Sequence, residues 1–222
     1  MIIINDIIVS VSLLASDMTK MAEEIRRCEN AGVDWIHYDV MDGHFVEQIS
    51  YGTQILKSVR KCTDRPLDVH LMVERPDQQA EYFAEAGADI IDIHIESPCD
   101  TAACLKRIRE MGKSPALAIK PKTPIEEAYP YLPLCDMVLV MTVEPGYGGQ
   151  GFIAEMTAKV KSLREYADNN GFPSLNIQVD GGINEKTGAQ AKRAGANVFV
   201  AGTGLFNAND MKAVNSALKG TL

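Results

Sequence analysis

The chain has 222 residues and a formal net charge of −8 at pH 7, with 46% hydrophobic and 23% charged residues. This composition provides for a large buried core and excludes a disordered or fibrous chain. The negative charge argues against a nucleic-acid partner, because such proteins present a basic face to the phosphates. The five cysteines are scattered without a CxxC pair, which indicates reduced thiols and a cytoplasmic location.

The first ten residues are apolar, but they predict neither an export signal nor a membrane span. They lack a basic segment, they include Asp6, and their apolar run is much shorter than a bilayer requires. We interpret them as part of the first strand and expect no membrane partner.

Short apolar runs recur along the whole chain and alternate with segments of helical polarity. Because strands of this kind separated by helices form parallel βαβ units, they indicate an α/β fold. The predicted strands are Ile7–Leu14, Trp35–Met41, Leu67–Val73, Ile90–Glu96, Pro115–Lys120, Met137–Val143, Asn176–Gly182 and Val198–Gly204.

The predicted helices have recognisable starts and ends. Ser16-Asp17, Pro76-Asp77 and Pro124 precede helices predicted over 18–30, 78–86 and 125–131. A glycine in the left-handed conformation often ends a helix. Three of the helices are expected to end in this way, at Ala31-Gly32, Ala86-Gly87 and Ala194-Gly195.

Eight βα units without a Pro/Ser-rich linker predict a single (β/α)8 TIM barrel, with one domain spanning residues 1–222. An open doubly wound sheet is the alternative. In a barrel, the βα loops at the carboxyl ends of the strands build the active site. Chemistry-bearing residues are therefore expected at the strand ends.

Four side chains at strand ends predict a divalent metal site. His37 and Asp39 share one face of the second strand, His70 lies on the third and Asp180 on the seventh. Any one of them could be a hydrogen-bonded core residue. Together they form a mixed nitrogen and oxygen ligand set, and a metal would pair two buried carboxylates at once.

Glycine-rich loops follow the sixth, seventh and eighth strands, around Gly146–Gly149, Gly181-Gly182 and Gly202-Thr203-Gly204. One such loop is usually only a tight turn. Three at the same end of a barrel favour a phosphate site built from backbone amides, which does not require arginine.

These segments together resemble the ribulose-phosphate 3-epimerase family. The likeness runs from the first strand to the last, and the order of its motifs is highly specific. The segments that carry it are Ser12–Leu14, DVMDGHFV after Tyr38, LDVHLMV from Leu67, MTVEPGYGGQ from Met141 and VDGGI from Val179.

The resemblance implies site residues for this chain. One divalent metal, with Zn²⁺ favoured over Fe²⁺, Mn²⁺ or Co²⁺, would bind His37, Asp39, His70 and Asp180. Asp39 and Asp180 would also be the catalytic acid and base. Substrate contacts would come from Ser12, Met41, His70, Met72, Met141, Gly146, Tyr147, Gly148, Gly149, Gly181, Gly182, Gly202 and Thr203. From patterning alone, the three methionines would be core residues.

The implied reaction is epimerisation at C3 of a phosphorylated ketose, D-ribulose 5-phosphate to D-xylulose 5-phosphate, by two-base proton transfer through a metal-stabilised enediolate. The loop 144–152 is expected to be a lid that protects this intermediate. The resemblance also suggests a homo-oligomer.

The chain departs from the usual family pattern at three places. Val11 replaces a proline, Glu47-Gln48 replace Pro-Asn, and Gly202–Phe206 read GTGLF rather than GSAIF. These changes leave D-allulose 6-phosphate open as the substrate. A phosphosugar decarboxylase or aldolase is a less favoured function, because Asp39–Asp42 contain no lysine, and a non-catalytic phosphosugar-binding barrel is another.

The remaining polar residues near the strand ends are expected to support the site rather than form it. We expect His94, Glu96 and Lys120 to be polar core residues or neighbours of the metal ligands. Asp42 is predicted to hydrogen-bond a ligating histidine, and His44 to cap or pack in its loop.

Overall fold

The computed structural model describes residues 7–220, and its eight parallel strands close into a barrel in chain order. β1 pairs with both β2 and β8, so the predicted barrel is confirmed and the open sheet is excluded. The part of the predicted first strand within residues 1–6 lies outside the described residues. The strands are β1 Ile8–Ser12, β2 Trp35–Met41, β3 Leu67–Met72, β4 Ile90–His94, β5 Ser114–Ile119, β6 Met137–Met141, β7 Asn176–Asp180 and β8 Val198–Ala201.

Helices connect the strands and cover the outside of the barrel. They are α1 Met21–Asn30, α2 Thr53–Arg60, α3 Pro76–Ala86, α4 Thr101–Glu110, α5 Met156–Asn169, α6 Glu185–Ala194, α7 Thr203–Phe206 and α8 Met211–Lys219. Between β5 and β6 the chain forms a 3-10 helix, Ile125–Leu134, which contains Pro130 and Pro133. Because proline lacks an amide hydrogen, an α-helix cannot continue regularly there.

Several helix ends agree with the sequence-based prediction. Gly32, Gly87 and Gly195 have φ angles of +81°, +114° and +108°. Only glycine adopts this left-handed region readily, so these residues end the helices without strain. The predicted helix over 18–30 begins as a 3-10 turn, Met18–Lys20, before α1.

Strand alternation divides the barrel into an outer apolar surface and a layered interior. Outward side chains such as Tyr38, Val69 and Phe199 belong to the large core shared with the helices. Inside, the amino-terminal end is closed by an apolar layer of Ile8, Trp35, Ile90, Ala116, Met137 and Val198. This packed floor leaves the polar interior residues toward the carboxyl ends of the strands, where the site is expected.

All five cysteines lie within the described residues and are free thiols. None of the helices between residues 7 and 220 is both long and apolar enough to cross a bilayer.

Candidate metal centre and active site

Four side chains converge near the carboxyl ends of β2, β3 and β7. His37, Asp39, His70 and Asp180 each place one ligand atom so that these atoms all lie within 4.8 Å of one another. The strand register brings them to one level, because Asp39 pairs with His70 across β2 and β3. The cluster predicted from the sequence is therefore present as a compact group that could bind a metal.

Unsatisfied nitrogen atoms show that this group fits a divalent cation. His37 Nε2 and His70 Nδ1 are buried and make no hydrogen bond. Each lies 3.4 Å from Oδ1 of Asp39, facing the centre of the cluster. A buried polar atom without a partner is unfavourable, and a cation would satisfy both lone pairs. Two imidazoles with two carboxylates suit zinc and other first-row divalent metals.

The opposite nitrogen of His37 is held by a buried carboxylate. His37 Nδ1 lies 2.7 Å from Oδ2 of Asp68, and the same oxygen accepts hydrogen bonds from Ser10 at 3.2 Å and Gln178 at 2.6 Å. Such a partner fixes the orientation of the ring and leaves Nε2 free for a metal.

The prediction that Asp42 would hold a ligating histidine is wrong. Its carboxylate accepts hydrogen bonds from the backbone amides of His44, Phe45 and Glu74, at 2.8, 2.9 and 2.7 Å. Asp42 therefore organises the loop after β2, because short carboxylates readily bond amides two or three residues ahead. His44 belongs to the same turn, with Nδ1 3.1 Å from the Asp42 carbonyl oxygen.

Two residues of β4 and its loop lie behind His70, in agreement with the expectation for them. His70 Nε2 is 2.9 Å from His94 Nε2, and His94 Nδ1 is 3.0 Å from Oε2 of Glu96. Burial lowers the pKa of His94 to about 4, so the ring is neutral at neutral pH. The backbone amide of Lys120 donates to Oε1 of Glu96 at 2.8 Å, and its Nζ lies 3.6 Å from the centroid of the Phe45 ring.

The two carboxylates of the cluster differ in acidity. Burial alone would raise the pKa of Asp39, but His37 and His70 hold it below its usual range. Burial, followed by the charge of Asp39, raises the pKa of Asp180 to about 6. The Ser12 hydroxyl also donates to Oδ2 of Asp39 at 2.6 Å. One carboxylate therefore favours the ionised form and the other holds a proton more readily.

A cleft opens above the cluster at the carboxyl ends of the strands. Both carboxylates line it, whereas His37 and His70 lie beneath its floor, fully buried. The structure places the other residues expected at the substrate in this lining: Ser12, Met41, Met72, Met141, Gly146, Tyr147, Gly148, Gly149, Gly181, Gly182, Gly202 and Thr203.

The glycines after β7 are required by close packing. A Cβ atom at Gly181 would lie 2.4 Å from Val143 Cγ2, and one at Gly182 would lie 2.5 Å from the Phe152 backbone nitrogen. Their φ angles are +119° and +66°. The loop after β7 therefore lies directly against the loop 144–152.

The loop 144–152 is braced from within. The side-chain amide of Gln150 donates to the carbonyl oxygens of Glu144 at 2.7 Å and Tyr147 at 2.9 Å. Tyr147 itself is 63% exposed at the mouth of the cleft. The loop therefore has internal hydrogen bonds as well as its contact with the loop after β7.

Sequence reasoning did not assign a role to the polar layer under the cluster and did not identify Asp92 as part of it. Asp92 of β4 is fully buried and neither of its oxygens has a hydrogen-bond partner, while burial and the Asp68 charge raise its pKa well above normal. A protonated Asp92 beside ionised Asp68 accounts for this arrangement. The signal was present: Ser10, Asp68, Asp92 and Gln178 are polar residues on the inward faces of otherwise apolar strands.

Comparison with known proteins agrees with this geometry. The profile of the "Ribulose-phosphate 3 epimerase family" matches residues 8–206. A ribulose-phosphate 3-epimerase of Synechocystis is 43% identical over 206 residues, 92% of this chain and 89% of that protein. That of Bacillus subtilis is 41% identical over 213 residues, 96% and 98% of the two chains. The cytoplasmic isoform of rice is 42% identical over 212 residues, 94% and 91% of the two chains.

Solved structures of lower identity share the fold. They include KGPDC of Streptococcus mutans, with a TM-score of 0.71, 16% identity and 97% of both chains covered. The 3-hexulose-6-phosphate synthase of Salmonella typhimurium has a TM-score of 0.68 and 16% identity, covering 96% of this chain and 97% of that one. At this identity the likeness concerns the barrel alone. The match of the family profile and of the epimerases along most of the chain, by contrast, confirms the resemblance seen in the sequence. The chain belongs to the ribulose-phosphate 3-epimerase family.

Proposed function

We propose that the chain epimerises D-ribulose 5-phosphate at C3 to D-xylulose 5-phosphate. The observation that carries this proposal is the pair Asp39 and Asp180, which line one cleft and differ in the direction of their pKa shifts. The names of the relatives from Synechocystis and Bacillus subtilis support the choice of substrate.

Inversion at C3 requires a base on one side of the sugar and an acid on the other. The proton at C3 is acidic because the adjacent C2 carbonyl accepts the charge as an enediolate. In each direction, the ionised carboxylate of the pair removes this proton, and the protonated one delivers a proton to the opposite face. Asp39 and Asp180 come from β2 and β7, so they approach the cleft from different strands.

His37, Asp39, His70 and Asp180 would hold the metal. When bound, a divalent cation supplies Lewis-acid polarisation of the oxygens at C2 and C3. We propose Zn²⁺, with Fe²⁺, Mn²⁺ and Co²⁺ compatible with the same ligands. Asp68 and Ser12 hold His37 and Asp39 in place, so the groups around the sugar are oriented before it binds.

We assign the phosphate group to the glycine-lined part of the cleft, which we call its phosphate end. The glycines of the loops after β6, β7 and β8 line the cleft there, and Thr203 adds a hydroxyl group. Backbone amides bind anions without side-chain charge, which suits an acidic chain. The loop 144–152, braced by Gln150, would close over the sugar and exclude water from the enediolate.

D-allulose 6-phosphate is the second candidate substrate. Thr203, where the family usually has serine, lines the cleft itself, whereas Glu47 and Gln48 lie in a neighbouring pocket with Lys120 and Glu144. A substitution in this lining can change the length of the sugar phosphate that the cleft accepts. The barrel neighbours that are synthases share only the fold, and β2 carries no lysine for decarboxylase or aldolase chemistry.

The test is solvent exchange with both sugars. Metal-loaded protein is incubated with D-ribulose 5-phosphate in deuterated water, and deuterium at C3 is followed together with D-xylulose 5-phosphate. We expect both the deuterium at C3 and D-xylulose 5-phosphate to appear. With D-allulose 6-phosphate as the substrate, we expect deuterium entry and formation of its C3 epimer to be slower. Metal-free protein is the control. Absence of exchange and product with both sugars contradicts the proposal, and faster turnover of the longer sugar assigns the second substrate.

A further inference from the structure

A buried row of hydrogen bonds extends from the metal cluster to the end of β4. His70 and His94 face each other with ring centroids 5.0 Å apart and Nε2 atoms 2.9 Å apart. His94 Nδ1 continues the row to Glu96 Oε2 at 3.0 Å. Both imidazoles are fully buried, and the Phe45 ring, at 4.8 Å between centroids, covers His94. The members of the row therefore contact each other directly.

The direction of hydrogen bonding in this row is set by Glu96. Its Oε1 accepts from the Lys120 amide at 2.8 Å and from the Thr123 hydroxyl at 2.6 Å. The backbone amide can only donate, so Oε1 is fixed as an acceptor, and two hydrogen bonds to this oxygen favour the ionised carboxylate. The pKa of Glu96 agrees with this geometry, because burial alone would raise it, but the hydrogen bonds with His94, Thr123 and Lys120 lower it to about 2. An ionised Oε2 then requires a proton on His94 Nδ1.

The positions of the protons on His94 and then on His70 follow from the ionised Glu96. A neutral imidazole carries one N–H, so His94 with its proton on Nδ1 presents Nε2 as an acceptor. His70 must then donate from its own Nε2. Its Nδ1 is left without a proton, and this is the atom that faces the cluster without a hydrogen bond. The opposite direction would place a proton on His70 Nδ1 and prevent metal binding there.

We propose that Glu96 and His94 are positioning residues that hold His70 in the tautomer with a free Nδ1 lone pair. The inference rests on the proposed metal site, because the free lone pair serves a ligand. The inference assigns a role to Glu96, which neither lines the cleft nor belongs to the metal cluster. The buried acceptor acts through two rings, as outer partners of metal-bound histidines do.

Glu96→Gln is the discriminating variant, because it preserves size and can reverse the row. The glutamine oxygen can still accept from Lys120 and Thr123, and its NH₂ group then donates to His94 Nδ1. This moves the His94 proton to Nε2 and the His70 proton to Nδ1. Glu81→Gln is the matched control, since Glu81 is exposed and pairs only with Arg107 among the described contacts.

The first measurement is ¹⁵N NMR of the imidazole rings in metal-free protein labelled at histidine. We expect the wild type and Glu81→Gln to show His70 protonated at Nε2 and His94 at Nδ1, and Glu96→Gln to show both reversed. Wild-type protein with the proton of His70 on Nδ1 overturns the inference. So does an unchanged pattern in Glu96→Gln.

The second measurement is Zn²⁺ and Co²⁺ affinity by competition with a chromophoric chelator. We expect affinity to fall about 10- to 100-fold in Glu96→Gln, the range typical for lost outer partners of ligands. The glutamine side chain of His94→Gln can still accept a hydrogen bond from His70, whereas that of His94→Leu cannot. His94→Gln should therefore retain more metal affinity than His94→Leu. Equal affinity in all four proteins, with folding verified by circular dichroism, overturns the inference.

These readouts separate the inference from the proposed function. Ring tautomers and metal affinity are measured without turnover. If neither sugar is epimerised but Glu96→Gln still reverses the tautomers and weakens metal binding, the proposed reaction fails and the positioning role stands. If turnover is present and the tautomers do not depend on Glu96, only the positioning role fails.

Discussion

His37 Nδ1 lies 2.7 Å from the Oδ2 atom of Asp68, and both side chains are fully buried inside the barrel. The Asp68 oxygen also accepts from Ser10 and Gln178. A carboxylate with three donors at one oxygen fixes the ring of His37 before any metal arrives.

Substitution of Asp68 is therefore expected to weaken metal binding. An asparagine side chain at this position can retain an acceptor for His37 but loses the charge. We therefore expect Asp68→Asn to lower Zn²⁺ affinity about tenfold and Asp68→Ala about 100-fold. Chelator competition measures both. Asp64→Asn, an exposed change near the start of the same strand, is the control. Affinity equal to the control in both variants would show that Asp68 does not support the ligand.

The strands, their order and the four-residue cluster could be predicted from the sequence because each has a local signal. Buried strands between capped helices determine a closed barrel, and alternation places His37 and Asp39 on one face. The partner of His37 could not be assigned, because Asp42 and Asp68 are both carboxylates near ligands. Strand register decided between them: His37 pairs with Asp68 across β2 and β3, whereas Asp42 follows the end of the strand.

The protonation states were also beyond sequence reasoning. Asp92 resembles any polar residue in a strand, and its raised pKa depends on complete burial beside Asp68. The row from His70 to Glu96 depends on the distance between two rings on neighbouring strands. Such properties depend on burial and on distances between side chains, which are known only once the folded structure is known.

Asp180→Asn is expected to abolish epimerisation while the barrel remains folded. The amide cannot transfer the proton, and acid–base groups of this kind contribute about 10²- to 10⁴-fold to rates. Turnover and deuterium entry at C3 are measured with metal content determined in parallel, because Asp180 also belongs to the cluster. Wild-type rates in a variant with full metal content would remove Asp180 from the reaction.

Ser12→Ala is expected to slow the reaction without loss of metal. The hydroxyl of Ser12 donates to Oδ2 of Asp39 at 2.6 Å, on the oxygen that does not face the histidines. Hydrogen bonds to charged groups are worth about 1.5–3 kcal/mol, so we expect kcat/KM to fall at least about tenfold. Ser58→Ala, which removes an exposed hydroxyl on α2, is the control. A kcat/KM equal to the control would indicate that this bond does not matter to catalysis.

Glu96 is expected to stabilise the fold in a pH-dependent way. Its pKa of about 2 lies below the ordinary value of 4.5, so its contribution is complete above pH 4.5 and is lost as pH falls toward 2. The groups that face it are His94, Lys120, Thr123 and Lys159. With partial exposure taken into account, we expect about 2 kcal/mol between wild type and Glu96→Gln at pH 6.

Urea unfolding of metal-free protein measures this difference across the pH range. It should shrink steadily between pH 4.5 and the acid limit of reversible folding. A difference that is constant over this range would mean that the ionised carboxylate is not the source of the stabilisation.

Gly182→Ala is expected to separate the loop after β7 from the loop 144–152. The new Cβ would lie 2.5 Å from the backbone nitrogen of Phe152, and φ is +66°, which alanine tolerates poorly. Because the contact is with backbone, no side-chain rotation relieves it, and the loops must move apart. We expect a weaker phosphate end of the cleft, seen as a rise in KM and in the Kd for inorganic phosphate.

Gly151→Ala is the matched control in the same loop. A Cβ there meets nothing within 4 Å and its φ is not positive, so stability and phosphate affinity should remain close to wild type. Thermal unfolding monitors the fold of both variants, because backbone strain of this kind costs about 1–3 kcal/mol. If Gly182→Ala and Gly151→Ala bind phosphate equally well, the close approach of the two loops does not form the phosphate end of the cleft.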